Sequence, residues 1–563
     1  MKFESFQYVR PDIEKITQEI EHVLNQFKHS KKIEELNHYI QKINSIRSFF
    51  ESMMHLAAIQ FTRDTKNAFF LEEQKYFDEM YPIYLNILRD YFEILNTSIY
   101  RKQLEARWGK QFFSLAELQS KVISKDVLED LVIENKLVSK YTKLIASAKI
   151  KFDNENKNLA QLQAYAYNSN RETRKKALTA KYDFYMDNEE ELDTIFNGLV
   201  KKRTEIAKKL GYKNYIALGY DRMLRVDFNP SHLLNFRKEI KEKLVPFLNE
   251  IRENQRIRTN LTTLTYYDLD YLFQDGSPSP KGDSKWIVQQ FQQIFRNLSN
   301  ETDEFYNFMI SNNLVDLDTR ENKARAGYCS FLPLYKSPFI FANFNGSSDD
   351  VRVFSHEAGH AFQLYSSRQI ELVDYHYPTY EACEIHSMSM ELLIWQSLDL
   401  VFKEDVHKYK YSHLIGAIDW MIYCVAIDEF QHFIYENPDI SPSARKKEWR
   451  RIEKLYLPFR IYEGNDFLER GGYWQQQTLI YKTPFYFIDY ALAQICAFQI
   501  FTESNTNMEL AISKFLQICK TGGSKSFLSI LKEAKLTSPF DDGCIDLIVS
   551  ELKMEMKKIE DYI

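Results

Sequence analysis

Glycine and proline are scarce, at 16 and 14 of 563 residues. So few turn-formers exclude a chain of many short strands and a low-complexity protein, and long helices are the expected material. The six cysteines, Cys329, Cys383, Cys424, Cys496, Cys519 and Cys544, are dispersed without a C-x-x-C pair, which excludes a disulfide framework. Thiols placed this way fit small buried hydrophobes in a reducing compartment. No apolar run is long enough to span a bilayer: the most apolar stretch, residues 486–501, is broken by Asp489, Gln494 and Gln499. Residues 1–7 lack the apolar centre of a signal peptide. A cytoplasmic protein without a membrane partner is expected. A basic excess is missing too, since 73 Lys and Arg face 79 Asp and Glu for a net charge of −6. That balance gives no footprint for nucleic acid.

Aromatic residues are plentiful, at 15% with 36 Tyr and 41 Phe. They supply a large core, and the length calls for two subdomains or one large helical body. Apolar residues recur in steps of three and four at Ile13, Ile16, Ile20, Val23 and Phe27, and again at Ile33, Leu36, Ile40, Ile43 and Ile46. These are helical stripes. Residues 148–156 read as a short strand and turn, residues 189–210 as a helix stopped at Gly211, and residues 231–257 and 285–312 as long helices either side of a loop at 275–283. Residues 327–331 and 338–344 read as strands leading into a helix that begins near Asp349, capped by Ser347 or Ser348 with Asp350.

That last helix carries Ser355-His356-Glu357-Ala358-Gly359-His360. Spacing of four puts both imidazoles on one face, one turn apart, within reach of a single metal ion. This is the H-E-x-x-H pattern, whose Glu serves as base in zinc hydrolases. A tetrahedral catalytic zinc needs a third ligand from another element. Downstream, Glu384 and Glu391 are seven apart and share a helix face. They are either solvated beside a buried seam or turned toward a metal and its surroundings. His376 and His386 nearby read as surface or core histidines.

The motif together with Glu384-x-x-Ser387-x-x-x-Glu391 resembles the M3 metallopeptidases, the family of thimet oligopeptidase and oligoendopeptidase F. The whole chain is similar to the oligoendopeptidase F branch, most clearly in residues 338–340, 343–346, 428–433 and 484–490. The resemblance implies a mostly α-helical, prolate body in two halves around a deep channel, with a small sheet beside the metal helix. Residues 1–185 form its helical scaffold, and residues 186–563 its catalytic region. It implies one Zn²⁺ per chain, with His356, His360 and Glu384 as ligands and Glu357 as general base, hydrolysing short unfolded peptides. Glu391 supports the ligands, and Tyr490, with Tyr486 as a neighbouring candidate, faces the oxyanion. The oligomeric state is not set by the sequence.

Two positions depart from the family pattern: Leu479 stands where His is common and Phe487 where Tyr is common. They motivate an alternative, a catalytically weakened zinc-bearing peptide-binding protein. Glu429-x-x-His432 fits half of a di-metal bundle, but no second Glu-x-x-His answers it, and Asp428, Glu429 and His432 are read as a polar patch near the site. The loop at 463–472 reads either as a lid or as a surface turn. An extended peptide is expected to pair with the edge of the strand at 338–345, against Asn343, Asn345 and Gly346.

Overall fold

The first helix is set by a local signal: the Asp12 side chain accepts from the Lys15 backbone N–H, and Ile13–His29 follows with Ile16, Ile20, Val23 and Phe27 buried. Helices Ile33–Arg63 and Ala68–Thr97 pack beside it. The computed structural model describes residues 1–563, and almost every later element is also a helix.

Two cores result. The smaller contains side chains from Ile13 to Ala116 together with Leu372 and Tyr375, while Val127, Tyr141, Leu178 and Tyr185 already belong to the larger one. From Val127 onward the core side chains belong mainly to the larger body, which Phe3, Phe6, Leu56 and Ile59 also join. The two bodies are tied by a buried Arg47–Asp374 pair at 2.6 Å. Tyr375 adds to the tie, its hydroxyl accepting from Phe112 N–H and donating to Trp108 C=O, both at 2.8 Å.

The expected strand and turn near residue 150 form a hairpin, β1 (Ile150–Phe152) and β2 (Glu155–Lys157). The single helix expected over 285–312 is two, Ser284–Leu298 and Asn300–Ser311, divided at Ser299, whose side chain forms a capping box with Thr302. A strand that the pattern did not reveal, β3 (Val315–Asp318), joins β4 (Tyr328–Leu332) and β5 (Ser337–Phe344) in a sheet of order β3-β5-β4.

β5 is therefore the central strand, which explains its unbroken apolar run Phe339-Ile340-Phe341-Ala342. Its expected role as a free edge is ruled out by pairing on both sides. Ile340 N–H bonds to Leu314 C=O on the β3 side, so Cys329, opposite Ile340 in β4, turns its backbone groups away from the sheet. The edge strands are β3 and β4, and β4 presents its outer edge at Cys329 and Phe331. At Phe331 it is already used, with N–H donated to Tyr377 Oη at 2.9 Å and C=O meeting His55 Nδ1 at 2.7 Å.

From β5 the chain enters the helix Ser348–Ser367, with Ser347 in cap geometry but bonding no backbone N–H. Asp350 instead turns back, accepting from the N–H groups of Asn345 and Gly346 at 3.0 and 2.7 Å. This helix crosses Tyr380–Leu393 at Gly359, where a Cβ would lie 2.5 Å from His386 C=O and 2.6 Å from Ser387 Cα. Only glycine permits that approach. Phe487–Ser504 and the long helix Val406–Glu436 complete the surround.

Candidate active site

The crossing at Gly359 brings the three expected ligands together. His356, His360 and Glu384 each offer a ligand atom, all within 4.8 Å of one another. Glu384 Oε2 lies 3.3 Å from His356 Nε2 and 3.4 Å from His360 Nε2. A tetrahedral zinc with bonds of about 2.0–2.1 Å has ligand-to-ligand edges of about 3.3–3.4 Å. The donor set of two imidazoles and one carboxylate therefore fits zinc in kind and in spacing. Burial works against charge on Glu384, but the imidazoles of His360 and His356 outweigh it and hold the carboxyl well below the usual range.

Each ligand is held from behind. Ser387 Oγ donates to Glu384 Oε2 at 2.9 Å and Tyr486 Oη to Glu384 Oε1 at 2.7 Å. His356 Nδ1 donates to Glu391 Oε1 at 2.6 Å, which keeps the other nitrogen, Nε2, as the one turned toward Glu384. The two carboxylates seven apart thus have different tasks: one meets both imidazoles, and the other fixes the tautomer of one of them.

Glu357 lines a cleft of 890 Å³ beside His356, opposite Trp420 and Tyr490. Burial is the chief reason its carboxyl is raised above the ordinary value. Gly327, just before β4, forms the adjacent floor, where a Cβ would lie 3.6 Å from Glu357 Oε1 and 3.2 Å from Val353 Cγ1. The Tyr490 ring stands 5.0 Å from that of Tyr486 and 5.9 Å from that of Trp420. Burial, then Glu384, keeps both phenols protonated.

Residues 3–123 match the Peptidase M3 N-terminal domain and residues 164–548 match Peptidase family M3. The chain belongs to peptidase family M3. An oligoendopeptidase F homolog from Borreliella burgdorferi is 25% identical over 420 residues, covering 70% of this chain and 68% of that protein. The solved structure of PZ peptidase A with an inhibitor is 46% identical, covers 100% of both chains and superposes with a TM-score of 0.96. A structure provisionally assigned to oligoendopeptidase F of Bacillus anthracis is 45% identical over 100% of this chain and 99% of that one, with a TM-score of 0.91. Together these place the M3 chain in the oligoendopeptidase F branch, among metallopeptidases.

Not every expected residue of this M3 peptidase reaches the site. Asp428 and His432 contact none of the three ligands: Arg237 Nε donates to Asp428 Oδ2 at 3.0 Å, and His432 lies between Arg237 and Tyr220. A buried guanidinium claims them, because Asp428 is fully buried and needs a countercharge. Asn343, Asn345 and Gly346 border the cleft in part, but their polar groups are committed. Asn343 Nδ2 donates to the carbonyls of Ala324 and Ala326, both at 2.9 Å, and the backbone of Asn345 and Gly346 to Asp350. They shape the wall. His376 and His386 are core residues bonded to the carbonyls of Ile370 and Cys383, and burial lowers each to about 4.

Two residues had no signal in the sequence. His413 Nε2 donates to Glu391 Oε2 at 2.8 Å, and Trp395 Nε1 donates to His413 Nδ1 at 3.0 Å. Neither sits at a recognisable spacing from the motif, since the long helix bearing His413 reaches Glu391 only through tertiary packing.

Proposed function

We propose that the chain is a zinc-dependent oligoendopeptidase, with one Zn²⁺ held by His356, His360 and Glu384, cleaving internal bonds of short unfolded peptides. The observation that carries this reading is the convergence of three ligand atoms within 4.8 Å, with Glu384 3.3 and 3.4 Å from the two imidazoles, beside a carboxyl with raised proton affinity. When bound, zinc acidifies water and polarises a carbonyl. The remaining work falls to side chains. Glu357 accepts the proton of the attacking water and returns it to the departing amine. Tyr490 donates to the oxygen that becomes negative, and Tyr486, anchored on Glu384, holds that carboxylate in place. Glu391 keeps His356 in the tautomer that offers Nε2.

A substrate in extended form pairs with the open part of the β4 edge, where Cys329 turns its N–H and C=O outward. Main-chain pairing reads little sequence, and a cleft of 890 Å³ admits a strand but not a folded domain. Six free cysteines, and no helix long and apolar enough to cross a membrane, support a cytoplasmic site of action.

The alternative is a weakened zinc-bearing binding protein of the same fold, motivated by Leu479 and Phe487; the Phe487 ring is buried beside Trp420 and Tyr423, which themselves line the cleft. Hydrolysis of a quenched oligopeptide tests the proposal: Glu357→Gln is expected to lower turnover by about 10²–10⁴ with zinc content retained. Equal, negligible rates in both proteins overturn the enzyme reading in favour of binding alone.

A further inference from the structure

Behind the metal helix runs a chain of buried hydrogen bonds with a defined direction. Trp395, in the short turn Ile394–Ser397 that follows the Glu384 helix, donates its indole N–H to His413 Nδ1 at 3.0 Å. His413, on the long helix, meets Glu391 Oε2 through Nε2 at 2.8 Å, and Glu391 Oε1 meets His356 Nδ1 at 2.6 Å. Trp395, His413 and Glu391 are 3%, 8% and 7% exposed, and Glu391 and His413 also border the cleft that His356 lines. The rings of Phe501 and Tyr409 close the flanks, at 4.8 Å from Trp395 and 5.7 Å from His413.

The order of protons along this chain follows from the one member that has no choice. An indole N–H only donates, so His413 Nδ1 must be bare and its proton must sit on Nε2. That proton is given to Glu391, whose two oxygens are then both acceptors. The second oxygen takes the proton of His356 Nδ1, which keeps Nε2 as the nitrogen turned toward Glu384 and His360. Without the indole, His413 is free to adopt the other tautomer, which sets a lone pair against Glu391.

We infer that Trp395 and His413 are positioning residues that fix the tautomer of His356 through Glu391, without touching the metal site themselves. The inference rests on the metal reading above for its consequence, but its proton order is a property of the protein alone.

Zinc dissociation constants by chelator competition test it in the full chain, with thermal melts alongside. His413→Phe keeps a ring but no donor and is expected to weaken zinc about tenfold, the lower end for partners behind a ligand. His413→Gln is expected to recover most of that loss, since its amide donates to Glu391 and accepts from the indole. Trp395→Phe, which removes one N–H, is expected to weaken zinc about threefold with little change in melting temperature. Unchanged affinity in His413→Phe, or His413→Gln no better than His413→Phe, overturns the inference. Where His413→Phe fails to fold, unchanged affinity in Trp395→Phe does so. An unaltered chain that binds no zinc sinks the metal reading instead. In that case ¹⁵N NMR of the histidine-labelled protein still decides the proton order: a proton on His413 Nδ1 overturns it.

Discussion

Two buried polar clusters stand on the long helix Val406–Glu436, and they are built from the same residue types to opposite ends. One joins Glu391 and His413 to His356, His360 and Glu384. The other joins Asp428 and His432 to Arg237 and Tyr220, with Arg225 and Asp489 paired nearby at 2.8 Å. The second is closed: each carboxylate has a guanidinium, and both nitrogens of His432 are used, Nδ1 accepting from Arg237 and Nε2 meeting Tyr220. No imidazole lone pair is left for a metal there. In the first cluster no guanidinium enters, the two imidazoles keep Nε2 turned toward Glu384, and the set opens on the cleft. A histidine beside a carboxylate is therefore not a metal site by composition. What decides is whether an arginine has already supplied the positive charge.

The comparison can be broken most severely at Glu384. Glu384→Gln is expected to abolish both stoichiometric zinc and peptide hydrolysis while the protein stays folded, read by metal analysis and circular dichroism. Retained zinc at full stoichiometry contradicts the ligand assignment. At the closed cluster the consequence is the reverse. Arg237→Leu leaves Asp428 buried without its countercharge and is expected to cost about 3–5 kcal/mol of stability in denaturant unfolding, with zinc content per folded molecule unchanged. A loss of zinc without a loss of stability points to a role for that cluster in the metal site.

A smaller effect separates the clusters by pH. Burial lowers His432 to about 4, against about 6.5 for a free imidazole. The folded state holds it neutral while the unfolded state takes up a proton below about 6.5. Its contribution is full above that pH and is lost as pH falls toward about 4. His376 and His386, lowered to about 4 in the same way, add to the same slope. His432→Gln is expected to remove about one third of that slope between pH 6.5 and 4.5, measured by unfolding free energy against pH. The smallest change is expected at Phe487→Tyr: turnover within about twofold, because the Phe487 ring is itself buried beside Trp420 and Tyr423, at some cost in melting temperature for a buried hydroxyl. A rise of tenfold or more in turnover favours the reading of a weakened enzyme.

How much of this was legible before the structure depends on the range over which each signal acts. The first helices were readable from Ile13 to Phe27 because a stripe in steps of three and four is a local property. The ligand helix was readable for the same reason, although the supposed Ser347 cap is replaced by Asp350 bonding backward. β3 was missed because four residues, Val315–Asp318, carry too short a pattern, and with it went the knowledge that β5 is central and β4 an edge. The division into two cores was equally hidden. The helices on both sides are amphipathic alike, and only their docking shows which core each stripe enters.

The sequence by itself determined that His356 and His360 share one helix face with Glu357 beside them, since 3.6 residues per turn leaves no alternative. Likeness to a family named Glu384, and its spacing to Glu391 put both carboxylates on one face. The tertiary structure alone decided that Glu384 reaches the imidazoles while Glu391 turns behind His356, that Arg237 claims Asp428, and that His413 and Trp395 stand in line behind Glu391. These are meetings between elements tens or hundreds of residues apart, set by how closely two helices can cross. At Gly359 that closeness is the width of a missing Cβ.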